Sequence, residues 1–270
     1  MANSNSTSSY SSLEFFIFSP SQLDYLTSLK NTLASYTSLF IYTDGSLTNA
    51  NSPQSRMGLG WLITDQDHTV LGTFNSSIKH WSSPTKAESM AIATALSVCP
   101  SHGNITIYTD SQNCINTYNY FCHSSAFSMR RSLKTNNYLI WHSIKLLITS
   151  LNLTVKLIKI KAHSGIPLHD HADYLAKTGA RSPYVTTINS AHKDLPNATL
   201  TWNSELIIDR NIRQTIKTIH RNINFNALIE HNNLLYCKNA INNNQIDLHW
   251  SQIWLRHNSS DSPTSQPQVG

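Results

Sequence analysis

Two short apolar runs of this chain end in the same three residues. Leu39-Phe40-Ile41-Tyr42-Thr43-Asp44 leads into Gly45 and Ser46, and Asn104-Ile105-Thr106-Ile107-Tyr108-Thr109-Asp110 leads into Ser111. Both runs are bulky or β-branched and too short for a helix, so each reads as a buried strand carrying an acid to its C-terminal edge. Adjacent strands lie only about 5 Å apart, so two such strands in one sheet would lift both carboxylates to a common edge, the geometry of a metal site. Taken singly, an Asp after a strand is most often a turn former or helix cap, because it bonds readily to nearby backbone. The repetition argues against that reading here.

The elements that must hold these acids follow in order. Leu23, Leu26, Leu29 and Leu33 recur at helical spacing and predict a helix over 21–35 leading into the first strand. Met57–Thr64 and Val70–Asn75 read as a second and third strand joined by a turn at Asp65-Gln66-Asp67-His68. The period then changes to 3.6. Ala87, Met90, Ala91 and Ala95 form one stripe behind Ser83 and Pro84, which belong at a helix start, and Glu88 sits on or beside that stripe. An early-helix Glu complements the helix dipole, but one bordering a face that packs on a sheet needs a partner.

After the strand ending at Asp110, residues 111–118 read as a short helix, 119–133 as a polar connection, 137–149 as a helix and 153–160 as a fifth strand. Lys156, Lys159 and Lys161 give that strand a basic edge. A loop with His163, Gly165 and Pro167 then enters a helix in which Ala172, Leu175 and Ala176 pack and Asp173 projects near the start. Asp170 rivals Asp173 one turn earlier on a similar face, and the flanking His169 and His171 read as solvated surface residues. The order β-β-β-α-β-α-α-β-α is that of a layered α/β domain.

Composition sets the frame. The 270 residues carry 20 Lys and Arg against 15 Asp and Glu, a formal charge of +5 and a pI near 9.0, which suits a polyanionic partner. Cys99, Cys114, Cys122 and Cys237 form no CxxC pair, so neither a zinc site nor a disulfide framework is indicated and a reducing compartment is expected. No cationic segment precedes the short apolar run Phe15–Phe18, and no stretch stays apolar for the ~20 residues of a membrane span. The expectation is a soluble intracellular protein of nucleus or cytoplasm, not secreted, without a membrane partner, and monomeric.

The chain over 39–180 resembles the type 1 ribonuclease H domain. The resemblance is carried by Tyr42-Thr43-Asp44-Gly45-Ser46, by Lys86-Ala87-Glu88, by Tyr108-Thr109-Asp110-Ser111-Gln112, and by Lys161-Ala162-His163-Ser164-Gly165 with Ala172-Asp173-Tyr174-Leu175-Ala176. Four motifs in the family's order are far more specific than any one. The resemblance implies a ribonuclease H-like fold, a five-stranded mixed sheet flanked by helices, and a nuclease cutting the RNA strand of RNA/DNA hybrids. It implies Asp44, Glu88, Asp110 and Asp173 as ligands of two Mg²⁺ ions, with Mn²⁺ able to substitute, and His163 as the loop histidine aiding proton transfer or product departure.

Motif position makes Gly45, Ser46, Thr85, Lys86, Ser111 and Gln112 the candidates for substrate contact. The pattern departs from the better-known one at Ser83-Pro84-Thr85, where polar amides often stand, and at Tyr174, where an acid is common. Around the domain the sequence predicts a disordered tail over 1–12, a helical extension over 13–38, a linker over 181–201, a helical C-terminal extension over 202–258 with a helix over 202–222, and a second tail over 259–270. Such a layout resembles the C-terminal end of a non-LTR retrotransposon polyprotein. Two rivals stand beside the nuclease reading. One is a catalytically silent, nucleic-acid-binding remnant of a retroelement, and the other is a resolvase or exonuclease of the same broad fold.

Overall fold

Alternation along the two Tyr-Thr-Asp runs decides which way each strand faces. Leu39 and Ile41 of the first run, with Ile105 and Ile107 of the second, enter the main core, while Tyr42 and Tyr108 face the other side of the sheet. The computed structural model describes residues 11–50, 52, 54–124, 127–161, 165–192, 194–195, 201–202, 206–231, 239–240 and 243. Its first compact unit runs to Ile212 and its second begins at Arg213.

The first unit contains β1 (Phe16–Ile17), α1 (Pro20–Leu33), β2 (Ser38–Thr48), β3 (Arg56–Thr64), β4 (Val70–Ile78), α2 (Pro84–Leu96), β5 (Asn104–Thr109), α3 (Gln112–His123), α4 (Met129–Ser132), α5 (Tyr138–Ser150), β6 (Thr154–Lys159) and α6 (Pro167–Gly179). It is completed by β7 (Thr187–Ile188), β8 (Thr201–Trp202) and β9 (Leu206–Ile207). Five strands form one mixed sheet in the order β4-β3-β2-β5-β6, with β2–β3 and β3–β4 antiparallel and β2–β5 and β5–β6 parallel. This is the five-stranded α/β architecture that the element order predicts.

Helices cover both faces. On one side the apolar faces of α1, α2, α3 and α5 close over β2, β3 and β5, with Leu26, Leu33, Trp61, Met90, Ile92 and Trp141 fully buried. Trp61 Nε1 also donates to Thr94 Oγ1 at 3.0 Å, tying β3 to α2 through a buried polar pair. On the other side α6 lies on β2 and β3 with Ala172 and Leu175 against Tyr42 and Leu62. That contact is backbone on backbone. A Cβ on Gly60 would stand 2.6 Å from the Ala172 carbonyl oxygen and 2.7 Å from the Leu175 carbonyl carbon, so only a residue without a side chain lets α6 settle there.

Local chemistry sets the helix starts. Ser83 Oγ accepts from the Lys86 N–H at 3.2 Å with Pro84 in the first turn of α2, Ser111 caps α3, and Pro167 opens α6. The turn between β3 and β4 is closed by Asp65 Oδ1, which accepts from the N–H groups of Asp67 and Thr69.

The flanking segments differ from the sequence reading. Ser12, assigned to a tail, is buried and donates to the Ser97 carbonyl, and Leu13, Phe15 and Phe16 join the core. The stretch read as a polar connection over 119–133 continues α3 to His123 and contributes α4, because Cys114, Tyr118 and Phe121 share one helical face and bury together. The segment read as a linker carries β7, which pairs antiparallel with β1, while Thr186 N–H donates to the Ser77 carbonyl at the β4 edge. The helix expected over 202–222 starts instead at α7 (Ile212–Ile229), preceded by the β8–β9 pair. The β-branched Ile207 and Ile208 favour extended backbone over helix there. Residues 1–10 and 244–270, which include the second tail, lie outside the described residues.

Gly60→Ala should lower stability by about 1–3 kcal/mol, the usual cost of forcing atoms into a filled site, read as a shift in denaturant midpoint at unchanged slope. An unshifted midpoint would show that α6 can lift off β3 at no cost.

Candidate metal centre

Parallel pairing of β2 with β5 places Tyr42 opposite Tyr108, and the two rings stack at 4.7 Å with an interplanar angle of 18°. Asp44 and Asp110 each stand two residues further on, so they leave the sheet in register and on the same face as the tyrosines. Glu88 arrives from the opposite face. The first turns of α2 press onto β2 at Gly45, where an added Cβ would lie 2.7 Å from the Ala87 carbonyl carbon, so the Glu88 side chain reaches the sheet's edge beside Asp44. Candidate ligand oxygens of Asp44, Glu88 and Asp110 all lie within 4.8 Å of one another. Asp44 and Glu88 are buried and Asp110 is partly exposed.

These three acids line a pocket of about 190 Å³ together with Gly45, His169, Asp170 and Asp173. Asp173 is held from behind by Lys177, whose Nζ lies 2.6 Å from its Oδ2 one helical turn along α6. Burial first, and then the Asp110 and Asp173 carboxylates, push the Asp44 carboxyl up to about 7. Burial and the charges of Asp44 and Asp110 hold Glu88 well above the ordinary carboxylate range, opposed by a hydrogen bond from the Gly45 N–H. Glu88 Oε2 is buried without a hydrogen-bond partner.

The donor set suits a divalent cation. The oxygens are hard ligands, Glu88 has an orphaned acceptor, and Asp44 resists ionisation until positive charge arrives. A model of the RNase H family matches residues 36–181, more than half of the chain. The chain belongs to the RNase H family, that of the ribonuclease H hydrolases.

None of the curated proteins compared with this ribonuclease H chain matches it. Among solved structures, the foamy viral protease-reverse transcriptase in complex with an RNA/DNA hybrid is 19% identical with a TM-score of 0.43, over 55% of this chain and 20% of the viral one. The chain thus spans a fifth of that protein's length. RNase H1 from the halophilic archaeon Halobacterium salinarum NRC-1 is 18% identical with a TM-score of 0.39, over 53% of this chain and 96% of its own. LC11-RNase H1, isolated from compost by a metagenomic approach and solved with an RNA/DNA hybrid, is 16% identical with a TM-score of 0.40, over 53% and 96%.

His163 falls in 162–164, outside the described residues. Gly45 lines the pocket; Ser46 is buried on β2, Thr85 is half-buried in the first turn of α2, and Ser111 is half-buried at the α3 cap. Gln112 is exposed, donating to Asn116 Oδ1 at 2.9 Å. Lys86 is not presented to the pocket. It is buried with Nζ 3.3 Å from Asp209 Oδ2, and burial lowers its pKa while Asp209 opposes the shift.

The solvated reading of His169 is overturned. It is 3% exposed, with Nε2 3.9 Å from Asp110 Oδ2. The missed signal was spacing, because His169 precedes Asp173 by four residues and shares its helix face. His171 is exposed as expected, and Asp170 is exposed while lining the same pocket. Asp209 had no local signal at all, since its partner lies on α2.

Two outcomes follow for the ion-free protein. Because folded Asp44 keeps its proton up to about 7 while the unfolded group loses it near 3.8, the folded state binds more protons between those values, and stability falls as pH rises through that window. Thermal midpoints in EDTA should decline from pH 4 towards 7, and Asp44→Asn should flatten the decline; an equal slope in that variant would place the titration elsewhere. Asp209→Ala strands the buried Lys86 charge and should cost about 3–5 kcal/mol, with Asp209→Ala/Lys86→Met regaining most of it in chemical denaturation.

Proposed function

We propose that this ribonuclease H is a divalent-metal-dependent endonuclease that hydrolyses the RNA strand of RNA/DNA hybrids, leaving 5′-phosphate and 3′-hydroxyl ends. The observation that carries the reading is the convergence of Asp44, Glu88 and Asp110 from two parallel strands and a helix onto one pocket, with Glu88 Oε2 unpartnered. A domain that only grips a polyanion has no need of mutually repelling carboxylates at its surface. Asp44, Glu88 and Asp110, with Asp173 on the α6 side, would hold two Mg²⁺ ions, and Mn²⁺ can substitute. Such ions supply Lewis acidity and make a water nucleophilic near neutral pH.

The protein's own groups bind and orient the substrate. Hydrolysis adds one water across the P–O3′ bond, the oxygen joining phosphorus and a proton ending on the 3′ oxygen. His163, which precedes α6 in the sequence, is the candidate by motif to carry that proton or to help product leave. RNA is told from DNA by its 2′-hydroxyls, read across a shallow minor groove. The groups suited to that are the backbone at Gly45 and Ser46, the Thr85 hydroxyl, the Ser111 hydroxyl and the exposed Gln112 amide. Lys86, paired with Asp209, acts instead by fixing the start of α2 and so the reach of Glu88.

Among the described residues no helix is long and apolar enough to cross a membrane. The excess of positive charge favours a polyanionic substrate and makes its capture salt-dependent.

The test is a strand-labelled hybrid with Mg²⁺ or Mn²⁺, beside duplex DNA and a four-way junction. The wild type should cut only the RNA strand of the hybrid. Asp44→Asn, Glu88→Gln and Asp110→Asn should each lower the rate on the order of 10²–10³-fold or more while retaining hybrid binding. Binding without cleavage in either metal would replace this reading with that of a nucleic-acid-binding remnant, and cleavage of the junction would point to a resolvase.

A further inference from the structure

Among the described residues, His169 is the one imidazole lining the carboxylate pocket, and packing does not account for it. A histidine buried for packing sits among apolar side chains, whereas the lining here is Asp44, Gly45, Glu88, Asp110, Asp170 and Asp173. Its Nε2 is 3.9 Å from Asp110 Oδ2. That is too long for a hydrogen bond. It is nevertheless a separation that one cation spans, since metal–nitrogen and metal–oxygen bonds of about 2.1 Å reach about 4.2 Å when opposed. The other ring nitrogen, Nδ1, is buried without a hydrogen-bond partner among the described residues. The Asp110 carboxylate faces Nε2 and favours a proton there in the absence of an ion, so a cation held at Asp110 takes the place of that proton on Nε2.

We infer that His169 is a nitrogen ligand of the divalent ion held at Asp110, and that it makes this centre favour Mn²⁺ over Mg²⁺. The inference rests on the reading of the carboxylate cluster as a metal centre and adds a donor that the four-acid motif does not contain. Mg²⁺ prefers an all-oxygen octahedron and keeps its waters, whereas transition ions accept imidazole readily. A nitrogen beside Asp110 therefore adds affinity for Mn²⁺ and little for Mg²⁺. Placement makes this available without rearranging the fold, because α6 carries His169 and Asp173 on one face and the backbone contact at Gly60 fixes its height over the sheet.

The experiment uses the full chain without nucleic acid, titrated with Mn²⁺ alone and followed by electron paramagnetic resonance, with Mg²⁺ as competitor. Wild-type protein should bind Mn²⁺ with a ¹⁴N coupling typical of a directly bound imidazole. His169→Asn should abolish that coupling and weaken Mn²⁺ binding about tenfold or more, while Mg²⁺ competes as before; His171→Asn should change neither. His169→Gln serves as a second variant, and unfolding midpoints confirm that each variant is folded. A coupling or a Mn²⁺/Mg²⁺ ratio that survives loss of His169 overturns this inference and leaves the metal centre standing. If the wild type binds neither ion, the metal-centre reading falls and the histidine assignment falls with it.

Discussion

Two glycines beside one aspartate govern this structure. Gly45 follows Asp44 in the chain, and Gly60 is its antiparallel partner on β3. At Gly45 the backbone of α2 presses on one face of the sheet, and at Gly60 the backbone of α6 presses on the other. Each approach is closer than any side chain allows, so the helices bearing Glu88 and Asp173 are brought to the neighbourhood of Asp44 by contacts that involve neither acid. Such a contact is rigid in a way that a side-chain interface is not, since there is no rotamer to relax.

That rigidity is what permits the electrostatics. Carboxylates that could rotate or separate would relieve their repulsion, and the site would relax into solvent-facing acids with ordinary ionisation. Here the in-register strands, the Tyr42–Tyr108 stack beneath them and the two helix contacts hold the carboxyls together, and burial first, then their mutual repulsion, raises the pKa values of Asp44 and Glu88. Local stability is thus traded for a cluster of hard oxygen donors that suits a cation. The same logic accounts for an unpartnered Glu88 oxygen in an interior where buried acceptors are ordinarily satisfied.

The parts of this arrangement that were legible in sequence are those written locally. The repeated Tyr-Thr-Asp phrase fixes strand, register and face together, because parallel strands of equal phase must lift equal positions to the same edge. The serine-proline start of α2 fixes Glu88 in its first turns. What was illegible depends on contacts between distant segments. His169 looks solvated when read among the polar neighbours Asp170 and His171, and is buried only because α6 sits low on β3. Lys86 looks like a free cation until Asp209 arrives from beyond the family's limits. Phe121 looks like part of a polar stretch until Trp141 packs against it.

The Lys86–Asp209 pair shows why the family match is shorter than the folded body that contains it. The match ends at 181, yet the segment around Asp209 is fastened to the family core at several points. Trp81 Nε1 donates to the Ile207 carbonyl at 2.6 Å, Arg210 donates to the Trp81 carbonyl at 3.1 Å, and the Asn137 N–H donates to the Asp209 carbonyl. Leu26 and Leu33, ahead of the match, are wholly buried in the main core. These outer segments bear on the chemistry through one helix. The first turn of α2 carries Lys86 two residues before Glu88, so whatever fixes Lys86 fixes how far Glu88 reaches. Residues two apart on a helix do not face each other, so Lys86 projects away from the carboxylates, and Asp209 supplies the counter-charge its burial requires. The segment around Asp209 thereby anchors the helix start from which Glu88 enters the carboxylate cluster.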